Sequence, residues 1–172
     1  MGARGLALLG ALVAGPACAL VAGPALAAAA EPARALAGLV TVAVDVELES
    51  SPERVSSREL VERIRARLAQ DAPALTLDPG ARDRLRLAVA VRPHSASALR
   101  GFWLPFSGTY GIGPVSLSLE RVVTIAGVPD PVRASVWRAE RQALGPWHES
   151  SARILELLDA NLADFLAAYR AR

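Results

Sequence analysis

The sequence predicts an α+β fold of two layers. The expected order is β-α-β-β-β-α, a four-stranded mixed sheet with two helices packed on one face. Three observations carry that expectation. The stretches 40–49 and 85–91 alternate apolar and polar residues with the period of two that gives a strand one buried face. A capped amphipathic helix lies between them. A second helix, apolar at helical spacing, closes the chain.

The first strand is expected over Val40 to Glu49. Val40, Val42, Val44, Val46 and Leu48 point inward, while Asp45, Glu47 and Glu49 line the other face. Carboxylates in such a row can do acid–base chemistry when their environments split their pKa values. The simpler reading is a solubilising stripe, or partners for Arg84 and Arg86 on a neighbouring strand. Ser51-Pro52 ends the strand. Ser56 followed by Glu59 forms a capping box, and Val55 can staple onto Leu60, so a helix should run from Ser57 to about Gln70. Its apolar stripe is Leu60, Val61, Ile64 and Leu68.

A second strand is expected over Arg84 to Arg92. A strand, a helix and a strand in that order form a right-handed crossover with the strands parallel. Third and fourth strands are expected at Val115 to Ile125 and Val132 to Leu144, joined by the turn Gly127-Val128-Pro129-Asp130-Pro131. Tight connections make strands two to four an antiparallel meander. The fourth is polar on both faces, as an edge strand would be. Trp137 reads as a packing residue, with Arg133 and Arg141 expected on its face. Ser150 or Ser151 should cap the last helix, which reaches Arg170 with Ile154, Leu155, Leu158, Leu162, Phe165, Leu166 and Tyr169 on its apolar side.

The start of the chain has a different character. Residues 1–30 read as an export signal: Arg4, an uncharged apolar stretch from Gly5, and small residues before Glu31. Cleavage is expected between Ala27 and Ala30, leaving residues 31–172 as one α+β domain in the periplasm or secreted. Two other readings stand beside it. The uncharged stretch is long enough to remain as a membrane anchor. Cys18, the only cysteine, could be lipidated, although Gly15-Pro16-Ala17 lacks the leucine such a site wants. After cleavage the domain has no cysteine, and so no disulfide, thiolate metal ligand or thiol nucleophile.

Composition excludes some functions. All 19 basic residues are arginine, but the formal net charge is only +2 and acids are interspersed among them. That is an ordinary solvated surface rather than a nucleic-acid footprint. His94 and His148 are the only histidines. A hydrolase would need one of them beside Ser95, Ser150 or Glu149, yet no serine sits in a Gly-x-Ser-x-Gly elbow. No metal or cofactor site is expected, and catalytic residues are not assigned. Gly108, Gly111 and Gly113 superficially suggest a phosphate loop, but the spacing is wrong and a strand follows, not a helix.

Residues 93–114 form the unusual connection. Phe102, Trp103, Phe106 and Tyr110 are four of the chain's 8 aromatic residues, set among glycines where a strand connection is normally short and polar. Either these residues fold back over the sheet, or they face a partner. Phe102, Trp103, Leu104, Phe106 and Tyr110 are therefore the candidate contacts for a partner or apolar ligand.

The alternating strand at Val40 to Glu49, the helix after Ser56, the strands at Leu85 to Val91 and Val115 to Ile125, and the helix after Ser151 together resemble a group of small bacterial envelope accessory proteins. It includes the lipopolysaccharide-assembly lipoprotein, auxiliary periplasmic components of ABC transporters, and N-terminal-type domains of curli-secretion and Tol-system proteins. The resemblance lies in element order and covers nearly all of residues 31–172. It implies a non-enzymatic accessory role in the envelope, with a protein or lipid partner, and assigns no residue. The alternative expectation is a pocket for a lipid or small apolar ligand between helices and sheet.

Overall fold

The computed structural model describes residues 33–50, 52, 55–95 and 108–172. The expected export signal with Cys18 lies outside the described residues, as do Phe102, Trp103, Leu104 and Phe106.

The fold is α+β with a mixed sheet. The strands are β1 (Thr41–Ser50), β2 (Thr76–Leu77), β3 (Arg84–Ala90), β4 (Arg92–Ser95), β5 (Thr109–Val123) and β6 (Val132–Pro146). Helix α1 (Ser57–Asp71) follows β1. A 3-10 turn at Trp147–Glu149 leads into α2 (Ser150–Arg170). The sheet has 6 strands where four were expected. The four anticipated strands are present, and their directions hold. β1 runs parallel to β3 with Val44 opposite Leu85, while β3, β5 and β6 are successively antiparallel. The two additions are short. β2 pairs only Thr76 and Leu77 with the start of β1. β4 is the far end of the second expected strand, split off at Val91.

That split has a physical cause in β5. Gly113-Pro114 lies opposite the break, between the pairs Val89–Val115 and Arg92–Ile112. Pro114 has no N–H to give a ladder. Gly113 approaches so closely that a Cβ there would lie 2.0 Å from the Ala90 carbonyl oxygen. The Val91 N–H turns away to donate to the Ser50 carbonyl at 2.9 Å. β5 also begins six residues before its expected start. The stretch Thr109 to Pro114 has poor strand propensity, yet β4 and β6 pair with it from either side.

α1 forms as its signals require. Ser56 Oγ accepts the Glu59 N–H at 3.2 Å, and Leu60, Ile64 and Leu68 are buried. Val55 is buried in the same core as Leu60. α2 begins differently from expectation. Neither Ser150 nor Ser151 caps it: Glu149 is the N-cap residue and makes no side-chain cap bond. The 3-10 turn carries the chain into the helix, which makes Ser150 its first, buried residue, with Oγ donating to the Pro146 carbonyl at 3.4 Å. Val40, expected to face inward, precedes β1 and is 60% exposed.

The core lies between the sheet and both helices. Leu60, Ile64, Leu85, Leu87, Leu117 and Leu158 are all fully buried there. They occupy the space between helices and sheet in which a ligand pocket was expected. Trp137 meets Phe165 edge-on at 5.3 Å between ring centroids, a packing role. Arg133 is not on its face. A bulge in β6 at Val136 lets Ser135 pair with Glu120 while Trp137 pairs with Leu119. The extra residue reverses the alternation, so Arg133 joins Glu120 on the opposite side.

Candidate functional site

The aromatic segment grows from a hairpin. β4 and β5 stay paired up to His94–Tyr110 and Ser95–Thr109. Ser95 and Thr109 therefore lie at one end of adjacent strands. Phe102, Trp103, Leu104 and Phe106 are carried between those two points. Tyr110 belongs to the strand itself. It pairs with His94 on one side and Pro146 on the other, and is 3% exposed.

The same end of the sheet is tightly built. A Cβ on Gly111 would lie 2.1 Å from Ser150 Oγ and 3.2 Å from the Trp147 ring. Gly111 thus lets the start of α2 sit directly on β5, as Gly113 lets β5 approach Ala90. These glycines serve backbone approach, which accounts for a glycine-rich stretch without any phosphate.

The sheet face away from the helices is charged. Arg84 reaches Asp45 at 3.0 Å, Arg92 reaches Glu49 at 2.5 Å, and Arg86 bridges Glu47 and Glu120, the latter at 3.2 Å. A shallow groove of about 450 Å³ runs between these side chains and Arg133. Each carboxylate of the row Asp45, Glu47, Glu49 is matched by an arginine from a neighbouring strand. The row is therefore a self-neutralised stripe, as the simpler reading of the sequence expects.

A second groove, about 720 Å³, follows β6 and α2. Trp137, Ala139 and Arg141 line it from the strand, and Asp164, Ala167 and Ala168 from the helix. Arg141 donates to Asp164 at 2.8 Å and to Asn161 Oδ1. Asn161 is 0% exposed, and its Nδ2 donates to the Val115 carbonyl at 3.0 Å. This chain of bonds ties α2 to both β5 and β6.

His148 stands on the exposed 3-10 turn, 3.4 Å from the adjacent Glu149. Ser150 is buried with its hydroxyl turned to the Pro146 carbonyl. Among the described residues no group of three or more His, Cys, Asp or Glu side chains is placed to hold a metal ion. Among them, too, no helix is long and apolar enough to cross a membrane.

No protein-family model matches the chain, and no curated protein matches it. The chain is similar to PelC. The solved structure is a PelC dodecamer from Paraburkholderia phytofirmans, 18% identical, with 78% of this chain and 88% of that chain covered at a TM-score of 0.41. No residue role passes from PelC to this chain at that level.

The sequence reading singled out the aromatic segment and the carboxylate row. It missed the groove along β6. One signal pointed there: Asn161 interrupts the apolar face of α2, and a polar residue in that position needs a partner across the core.

Proposed function

We propose that this is an exported, non-catalytic envelope protein, an accessory or adaptor in envelope assembly or transport, which docks a partner through Phe102, Trp103, Leu104 and Phe106. The observation that carries the reading is the pairing of Ser95 with Thr109. In sequence the aromatic segment falls between these two paired residues, and a connection whose two ends are held by a scaffold suits a binding role. Two further features support it. The charged face spends its carboxylates and guanidinium groups on one another. The core is filled, which favours a surface partner over an enclosed lipid or apolar ligand.

The reading has two separable parts. Export is tested by intact mass of the protein recovered from the cell envelope. The expected chain starts between residues 28 and 31. A chain that retains Met1 in the cytoplasm contradicts export, and an acylated Cys18 contradicts soluble release. Docking is tested with Trp103→Ala/Phe106→Ala. The double variant should keep the melting temperature and lose the envelope complex seen with the unaltered protein. An unchanged complex contradicts the assignment of this segment.

A further inference from the structure

β6 is a 15-residue strand whose pairing, among the described residues, is with β5 alone. Its other edge presents a row of backbone N–H and C=O groups along the outside of the sheet. Long bare edges invite another strand. The charges on β6 say which strand fits. Arg138, Ala139 and Glu140 are consecutive, with the charged pair flanking alanine. Arg138 and Glu140 point to the open face of the sheet and both are exposed; within one chain Arg138 donates to Glu140, so docking exchanges each pair within a strand for a pair across the axis.

We propose that a second copy of this chain docks on this edge, β6 against β6, antiparallel about a twofold axis at Ala139. In that register Arg138 stands opposite the partner's Glu140, and Glu140 opposite the partner's Arg138. Symmetry makes each favourable pair occur twice. Neighbouring symmetric registers lack this match. Moving the axis to Arg138 sets that arginine against itself, and moving it to Glu140 sets two carboxylates together. Like charges directly opposite are unfavourable. The groove between β6 and α2, with Ala167 and Ala168 on its helix wall, leaves room beside the axis for the partner's layer. The product is one continuous sheet across two molecules, with both charged faces on the same side. This dimer surface is separate from the hairpin end, so either assignment can fail without the other.

The test is sedimentation of the purified exported protein and two charge variants. Wild type should sediment as a dimer at micromolar concentration. Glu140→Arg places arginine against arginine twice and should weaken the dimer by about tenfold or more. Arg138→Glu/Glu140→Arg restores opposite charges and should recover the dimer. A protein that stays monomeric, or a double variant as weak as the single one, overturns the proposal. Register is read separately in a Cys18→Ser background. Ala139→Cys sits on the axis, within the Cα separation a disulfide needs, and should cross-link on oxidation. Arg133→Cys should stay uncross-linked. Equal cross-linking at both positions, or none at Ala139→Cys, overturns the register.

Discussion

The two faces of the sheet are built on opposite plans. The helix-covered face is closed by aliphatic side chains such as Leu85, Leu87 and Leu117, all fully buried. The open face is closed by arginine and carboxylate side chains, with Arg86 and Asp45 about half exposed. Burying one such leucine is worth about 1.5–3 kcal/mol. An exposed ion pair is worth about 0–1 kcal/mol. Stability therefore belongs to the helix side, while the open side keeps the sheet soluble and sets neighbouring strands in register. Docking, as proposed, draws on neither the leucine core nor the ion pairs around Arg86, but on the segment between Ser95 and Thr109 and on the outer edge of β6.

The largest break in this contrast should come from Leu117→Ala at the centre of β5. It should cost about 2–5 kcal/mol in denaturant unfolding. A loss as small as that of a surface charge would contradict the assignment of stability to this face. Gly113→Ala comes next. Its Cβ would meet the Ala90 carbonyl oxygen at 2.0 Å, which forces the end of β3 away from β5. About 1–3 kcal/mol should be lost, with faster amide exchange over 90–95. Unaltered exchange there would show that the close approach is absent.

Asn161→Ala should cost about 1–3 kcal/mol, because the Val115 carbonyl and Arg141 lose their shared partner. Asn161→Asp, which keeps an acceptor for Arg141, should recover part of the loss. Arg86→Ala, on the open face, should cost about 1 kcal/mol or less. A loss matching that of Leu117→Ala would erase the difference between the faces.

The smallest effect concerns the link between the helices. Arg63 holds Asp159 through Nε at 2.9 Å and Nη2 at 2.5 Å. The hydrogen bond from Arg63 lowers the Asp159 pKa, against the opposing effect of partial burial. A carboxylate with a depressed folded pKa stabilises the protein above its unfolded pKa, near 4, and that contribution fades as pH falls through the lower folded value. Both partners are nearly half exposed, so about 0.5 kcal/mol is expected. Asp159→Asn should unfold slightly more easily at neutral pH, and the gap to wild type should narrow below about pH 4. A gap that widens in acid would contradict the pairing.

Much of the fold was legible because its signals are local. The alternation in β1, the Ser56 cap and the apolar stripe of α1 depend on neighbouring residues only. The departures all depend on distant ones. Thr109 to Pro114 is strand because β4 and β6 flank it, not because Gly-Ile-Gly-Pro favours strand. The second strand breaks at Val91 because Gly113-Pro114 lies across from it. A single bulge at Val136 moved Arg133 to the other face. The aromatic segment stands out in composition alone, as apolar residues in a long connection, and Phe102, Trp103, Leu104 and Phe106 lie outside the described residues. Tyr110 was drawn into that segment only because the strand boundary was placed too late. The edge position of β6 was legible in its polar residues on both faces, but the groove beside it was not, because which helix flanks an edge strand emerges only with topology.

The measurement that bears most directly on the proposed docking segment is site-specific photo-cross-linking in intact cells. A photoreactive residue is placed in turn at Trp103 and at Glu47, the latter on the open face. The account predicts a defined adduct with an envelope component from position 103 and none from position 47. An adduct from position 47 with nothing from position 103 would contradict it.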